Sequence, residues 1–147
     1  MSSPDLSKID FLSGSLGYAI KRAQVRSYEM LFEIYADKQL TPARMTALCL
    51  IGKQPGMSQS ALAEILQINR ASVIKIVNYL VQAGYVICLE NPADKRSHAL
   101  EVTEEGYRKL CTLVERTQIF ESKIARSLTK RERDTLLRLL EKVAEQP

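Results

Sequence analysis

Residues 58–103 constrain the fold of this chain more than any other stretch. Apolar residues there recur at spacings of three and four, which predicts a helix over residues 70–83 whose buried stripe consists of Val73, Ile76, Val77 and Leu80. Asn69 is suited to the N-cap of this helix, and Gly84 is suited to the position after its C-cap. A short helix with both ends marked in this way is suited to insertion into a groove.

The sequence around this helix predicts one more helix and a hairpin. Ser58 begins the preceding helix, and residues 67–69 form the turn between the two helices. After Gly84, the runs 85–89 and 99–103 have the β-branched, aromatic and alternating character of two paired strands. The predicted hairpin tip, residues 90–97, combines turn-forming residues with a basic pair.

Long helices are predicted on both sides of this stretch. Residues 11–35 carry an apolar seam, whose first turns are weakened by Gly14 and Gly17, and a Thr41-Pro42 pair starts the next helix. Thr103 is a predicted N-cap, and Thr129 begins a capping box before a final helix dense in leucine. That final helix has more apolar surface than one protomer needs, which predicts that a second chain covers it.

Length and composition favour one domain with a sizeable core, since the chain has 147 residues of which 46% are hydrophobic. We expect a cytoplasmic protein, because no apolar run approaches the roughly 18 residues of a membrane span and the N-terminus lacks a signal-peptide pattern. The net charge of +4 is compatible with a polyanionic partner without requiring one. Function is therefore inferred from the arrangement of the residues.

The three cysteines, Cys49, Cys88 and Cys111, are scattered and lie within apolar sequence. Their number and spacing suggest neither a disulfide framework nor a metal site, so we predict three buried thiols. The single histidine, His98, is expected to be a surface residue of the second strand. No cofactor and no metal are predicted.

Helix, turn, helix and a hairpin with a basic tip form the layout of a winged helix-turn-helix, whose second helix enters the major groove of DNA. The run NRASVIKIVNYLVQAGYV followed by NPADKRSHALEVTEEG resembles the MarR family. The resemblance implies a mainly α fold with a small β-hairpin wing, in a single domain. Its parts would be an N-terminal dimerisation helix (11–38), the winged helix-turn-helix (39–103) and C-terminal dimerisation helices (104–147).

The resemblance also implies a homodimeric transcriptional regulator, usually a repressor, that binds a double-stranded operator and leaves it when a small molecule binds. The DNA-binding positions would be Ser58, Gln59, Arg70, Ala71, Ser72, Lys75, Asp94, Lys95 and Arg96. Arginine can bond guanine bidentately or enter a narrow minor groove, and serine can fix the register on phosphates. Ile74 departs from the polar side chain common at its position, so the operator sequence is left open.

Residues 16–24 resemble the first helix of a subgroup that responds to aromatic acids, including hydroxycinnamates and their coenzyme A thioesters. In this interpretation the effector binds between the first helix and the winged domain. Arginine supplies a partner for a carboxylate or phosphate, and aromatic rings supply apolar faces. The predicted ligand residues are Tyr18, Arg22, Arg26, Tyr28 and Phe32.

Three other functions were considered. An enzyme is disfavoured, because the sequence has one histidine and no phosphate loop, nucleophile elbow or metal-spaced cluster. A cysteine-based redox-sensing regulator of the same fold is the main alternative, with Cys49 as the candidate thiol. A winged scaffold that binds only protein is the third, and salt-dependent binding to a specific duplex would exclude it.

Overall fold

The computed structural model describes residue 10, residues 12–91 and residues 94–145, with residues 91 and 94–97 described by their backbone. Six helices and three strands follow one another along these residues. They are α1 (Leu16–Tyr35), α2 (Pro42–Lys53), β1 (Met57–Ser58), α3 (Gln59–Leu66), α4 (Arg70–Gln82), β2 (Val86–Asn91), β3 (Asp94–Val102), α5 (Glu104–Ile124) and α6 (Lys130–Ala144).

The core lies between α2, α3, α4 and the sheet. Its fully buried side chains include Leu48 of α2, Leu62 of α3, Leu80 of α4 and Leu100 of β3. Fully burying a leucine contributes roughly 1.5–3 kcal/mol, so this cluster is a main source of stability. The predicted stripe on α4 is confirmed, since all four of its residues are buried.

The helix ends follow the polar residues that the sequence marks. Thr41, Asn69, Thr103 and Thr129 are N-caps, and Thr129 forms the predicted capping box with Glu132. The first helix begins at Leu16, later than its apolar pattern, with Ser15 as the N-cap. Gly14 has a φ of +70°, in the left-handed region, so a right-handed helix cannot run through this residue and α1 begins after it.

The sheet has three strands in the order β1-β3-β2, all antiparallel. The predicted hairpin is confirmed, but β1 was missed: Met57 pairs with Leu100 and Ser58 with Ala99. The predicted tip at residues 90–97 is also too long, because β2 continues to Asn91 and β3 begins at Asp94. Pairing of the two strands extends the ladder outward, and Pro92 and Ala93 lie outside the described residues.

A tight joint connects the end of α4 to the start of α5. The Thr103 hydroxyl donates to the Gly84 carbonyl and accepts from the Gly106 amide at 3.0 Å. The Thr103 amide donates to the Tyr85 carbonyl at 3.0 Å. A Cβ on Gly106 would lie 2.1 Å from that same carbonyl oxygen, so only glycine allows this approach.

The end of α1 packs against α5. The Tyr35 hydroxyl lies 2.8 Å from Thr117 Oγ1 and 3.2 Å from the Leu113 carbonyl oxygen. Arg116 donates to the Ile34 carbonyl at 2.7 Å. These contacts fix the carboxyl-terminal end of α1, whereas its first half is largely exposed, as at Leu16 (65%).

The last helix presents an exposed apolar face. Five of its large apolar side chains are each more than a third exposed, and we call them the α6 apolar face: Leu136, Leu137, Leu139, Leu140 and Val143. Arg133 pairs with Glu121 of α5 at 2.9 Å and so holds the helix beside α5. Within the described part of the chain, no helix is both long and apolar enough to cross a membrane.

Candidate nucleic-acid interface

Helix α4 presents its polar side outward because its apolar side is buried. The Asn69 side chain accepts a hydrogen bond from the Ser72 amide at 2.8 Å, which fixes the first turn. Arg70, Ala71 and Lys75 are exposed, and Ser72 is partly buried. The exposed side of this first turn and the next can therefore reach a partner without disturbing the core.

A cation–π contact joins α4 to α2. The guanidinium of Arg44, on α2, lies 3.8 Å from the ring centroid of Tyr79, and it also donates to the Gln39 carbonyl. Burial raises the pKa of the Tyr79 phenol, with further increases from Asp37 and Tyr85 that outweigh the lowering by Arg44. The phenol therefore stays neutral at physiological pH, and its ring holds α4 against α2.

Helix α3 approaches the first turn of α4. Its N-cap, Ser58, accepts a hydrogen bond from the Ala61 amide at 3.1 Å. Its last turn ends at Gln67, whose left-handed backbone (φ 54°) turns the chain toward α4. This conformation is uncommon for a residue other than glycine, and no residue type in the sequence indicated it.

A cavity of about 430 Å³ lies between α3, α4 and β3. It brings together three of the predicted DNA-binding residues, which are Ser58, Gln59 and Arg70. Its other lining residues are Ser60, Ala63, Val73 and His98. Ala71, Ser72 and Lys75 are not among them. His98 was missed as a site residue, because its proximity to α4 arises only when the hairpin folds back.

The predicted wing residues stand on a strand. Asp94, Lys95 and Arg96 belong to β3 and not to the loop that the sequence predicted. Asp94 pairs with Asn91, whereas His98 pairs with Glu90, so the register of the two strands shifts at these positions. Their side chains lie outside what the structure describes, so the DNA contacts predicted for them stay predictions.

The predicted ligand residues are spread along α1. Tyr18 and Arg22 line an open cavity of about 690 Å³ together with residues from the turn before the helix. Arg26 pairs with Glu29 at 3.1 Å, and Tyr28 meets Phe32 edge-on with ring centroids 6.5 Å apart. All the described residues that line the Tyr18 cavity lie between 10 and 22, so the expected position against the winged domain is not seen in one protomer.

Comparison with known proteins supports the prediction of a DNA-binding transcriptional regulator. A putative transcriptional regulatory protein for the hcr operon of Thauera aromatica is 29% identical over 136 residues, which cover 92% of this chain and 82% of that protein. The transcriptional repressor CouR bound to p-coumaroyl-CoA is 31% identical, with a TM-score of 0.86 over 95% of this chain and 99% of CouR. CouR bound to a 23-mer DNA duplex is 32% identical, with a TM-score of 0.82 over 98% and 100%.

The MarR family model matches residues 40–98, which contain the whole of α3, α4 and β2. The chain belongs to the MarR family. The predicted winged helix-turn-helix fold is thereby confirmed. This MarR-family protein is a DNA-binding transcriptional regulator and not an enzyme, as the sequence predicted.

The cysteines of this MarR-family protein only partly match their prediction. Cys88 and Cys111 are exposed, because one lies on the edge strand β2 and the other on the outer side of α5; Cys49 is partly buried. Burial raises the pKa of the Cys49 thiol, although Lys53 acts in the opposite direction. A reactive thiol requires a lowered pKa, so this environment does not favour redox sensing at Cys49.

Proposed function

We propose that this MarR-family protein is a homodimeric repressor that leaves a pseudo-palindromic operator when an aromatic acid or its coenzyme A thioester binds. The observation that carries the proposal is the similarity to CouR over nearly the whole of both chains. CouR is a repressor whose structures contain a DNA duplex in one case and p-coumaroyl-CoA in the other.

The DNA-binding surface would be the first turns of α4 together with the wing. Asn69 caps α4 so that Arg70, Ala71 and Lys75 stand exposed on its outer side. In the proposed complex this side enters the major groove, and Ser58 and Gln59 lie near the adjacent phosphates. Arg96, on β3, would reach the minor groove beside it.

The dimer would form through the terminal helices. The α6 apolar face and the exposed first half of α1 together present more apolar surface than a monomer usually leaves in water. A twofold symmetric dimer that buries these surfaces would place two copies of α4 on one side of the molecule. For binding to successive major grooves, the two helices must lie about 34 Å apart.

The effector would bind along α1. Tyr18 and Arg22 line the same open cavity, which a second protomer would have to close for it to bury a ligand. Arg22 would bind a carboxylate or phosphate, and Tyr28 and Phe32 would supply ring faces two turns further along. Arg26 would have to exchange its partner Glu29 for the ligand.

Release from DNA requires that the effector bind the DNA-incompetent arrangement of the dimer more tightly than the DNA-bound one. A tenfold loss of operator affinity corresponds to about 1.4 kcal/mol of coupling. One charge-assisted hydrogen bond made in a single state is worth about that much.

The test is a calorimetric titration of p-coumaroyl-CoA, free p-coumarate and coenzyme A into the wild type, Arg22→Ala and Arg26→Ala, each with and without a duplex selected by the wild type from a random pool. We expect tighter binding to the DNA-free protein and weaker binding to both variants. Arg108→Ala, which removes an exposed arginine paired with Glu104 on α5, is the control. Equal affinity with and without DNA would exclude the release mechanism, and unchanged variants would exclude this ligand site.

A further inference from the structure

His98 is the only histidine of the chain, and it stands on β3 at the mouth of the cavity beside α4. Arg70 of α4 lines the same cavity, together with Ser58, Gln59 and Ser60. Strand β3 pairs with β1 at Ser58 and Ala99, which places His98 next to the start of α3. Three separate segments thus bring an imidazole and a guanidinium to one concave surface.

The lining of this cavity has the chemistry of an anion site. Two hydroxyls, one amide, one guanidinium and one imidazole can each donate a hydrogen bond, and no carboxylate is among the described residues that line it. The cavity is open and about 430 Å³ in volume, and His98 is exposed. A phosphate of a DNA backbone can therefore reach the imidazole without rearrangement of the core.

The charged groups around His98 come from two neighbouring elements. Arg70 approaches from α4, and Glu90 stands directly opposite on β2 in the ladder. The groups of α3 that line the cavity are uncharged, and the next residue on the same side of β3, Leu100, is buried. Among the side chains that the structure describes, one cation and one carboxylate thus flank the imidazole; Asp94, Lys95 and Arg96 precede it on β3, and their side chains are not described.

We propose that His98, together with Arg70, binds a backbone phosphate of the operator and makes operator affinity depend on pH. This inference rests on the proposed DNA-binding function. Imidazole side chains gain a positive charge as the pH falls from 8 to 5, and a charged donor binds phosphate more strongly than a neutral one. Affinity for DNA therefore rises as the pH falls.

Thiols can also change charge near neutral pH. Burial raises the pKa of the Cys49 and Cys88 thiols, so both stay protonated between about pH 6 and about pH 7.5. If DNA affinity changes between about pH 6 and about pH 7.5 in the wild type but not in a variant at residue 98, the change is therefore assigned to the imidazole.

The experiment measures binding to a duplex that the wild type selects from a random-sequence pool, at about pH 6 and about pH 7.5 and over a series of salt concentrations. The proteins are the wild type, His98→Gln, which cannot gain charge, and His98→Lys, which keeps its charge at both pH values. Arg108→Gln is the control for loss of a cation that does not line the cavity; Arg108 pairs with Glu104 on α5. Thermal unfolding confirms that each variant is folded.

We expect the salt dependence of wild-type binding to be steeper at about pH 6 than at about pH 7.5, by at most about 0.9 in the logarithmic slope for each protomer in contact with DNA, which corresponds to one full charge. His98→Gln should have the shallower slope at both pH values, and His98→Lys the steeper one. A wild-type slope equal to that of His98→Gln at both pH values would overturn the role of His98 and leave the proposed function standing. Failure to select any duplex would overturn the proposed function itself.

Discussion

The hydroxyl of Tyr35, in the last turn of α1, lies 2.8 Å from Oγ1 of Thr117 on α5. The Thr117 hydroxyl in turn donates to the Leu113 carbonyl at 2.7 Å, so the two side chains form one short chain of hydrogen bonds. Tyr35 is buried, and its ring belongs to the core. This pair therefore connects the N-terminal helix α1 to α5 of the C-terminal segment through a polar contact at the edge of the core.

Tyr35→Phe removes that contact without removing the ring. We expect the free energy of unfolding to fall by about 1 kcal/mol, because the hydrogen bond between Tyr35 and Thr117 is lost in a largely buried place while Thr117 keeps its bond to Leu113. Urea denaturation measures the change. Tyr28→Phe, on the exposed side of α1, is the matched control and should change stability by less than about 0.5 kcal/mol. Equal effects of the two substitutions would contradict the assignment.

Gly106→Ala should destabilise the fold by about 1–3 kcal/mol, because the added Cβ would lie 2.1 Å from the Tyr85 carbonyl oxygen and 2.7 Å from a Val102 methyl group. Gly17→Ala is its counterpart in α1, where no described atom lies within 4 Å of an added Cβ. That substitution should stabilise the protein by up to about 1 kcal/mol. Thermal unfolding of both variants distinguishes the effect of the close contact at Gly106 from the effect of helix propensity at Gly17.

Leu139→Glu should weaken dimerisation and operator binding together, because it places a charge within the α6 apolar face. Analytical ultracentrifugation gives the mass, and fluorescence anisotropy gives the DNA affinity. Arg138→Ala, on the polar side of the same helix, should leave the mass unchanged. A wild-type protein that is monomeric at micromolar concentration would refute the proposed dimer.

Arg70→Ala and Arg96→Ala should weaken operator binding in different ways. Loss of Arg70 should cost about 1–3 kcal/mol and relax the base preference in each half-site if the side chain meets a base edge. Loss of Arg96 should instead lower the salt dependence by about 0.9 in logarithmic slope for each protomer in contact with DNA. Binding isotherms at several salt concentrations distinguish the two, and an unchanged slope for Arg96→Ala would remove the wing from the interface.

Glu132 should make the capping box of α6 sensitive to acid. Hydrogen bonds from the Thr129 amide and hydroxyl hold the pKa of its carboxyl below the ordinary value of 4.5. A lowered pKa in the folded state stabilises the protein above pH 4.5, and this contribution disappears as the pH falls through the lowered value. Glu132→Gln and Thr129→Ala should both reduce the loss of stability in acid, measured by chemical denaturation at a series of pH values.

Local signals in the sequence predicted α4 well. Its buried stripe has the period of a helix, and Asn69 and Gly84 mark its ends through interactions within a few residues. The same holds for the N-caps at Thr41, Thr103 and Thr129, whose partners lie three residues away. Such features depend on the chain near each residue and little on the rest of the fold.

Features that depend on distant residues were predicted less well. Strand β1 has two residues, and it exists only because Leu100 and Ala99 lie beside it. The cavity beside α4 combines positions 58–60, 70 and 98, so no sequence window contains it. The exposure of Cys88 follows from the place of β2 at the sheet edge, which apolar neighbours in the sequence do not indicate.

The joint at Thr103 has a mechanical consequence. One hydroxyl bonds both the end of α4 and the start of α5, and the absence of a Cβ on Gly106 lets the two backbones touch. These contacts tie the start of α5 to the turn that follows α4, so we expect a displacement of this end of α5 to be passed on to that turn. A change in the distance between two copies of α4 should therefore be accompanied by a shift of the start of α5 in each protomer.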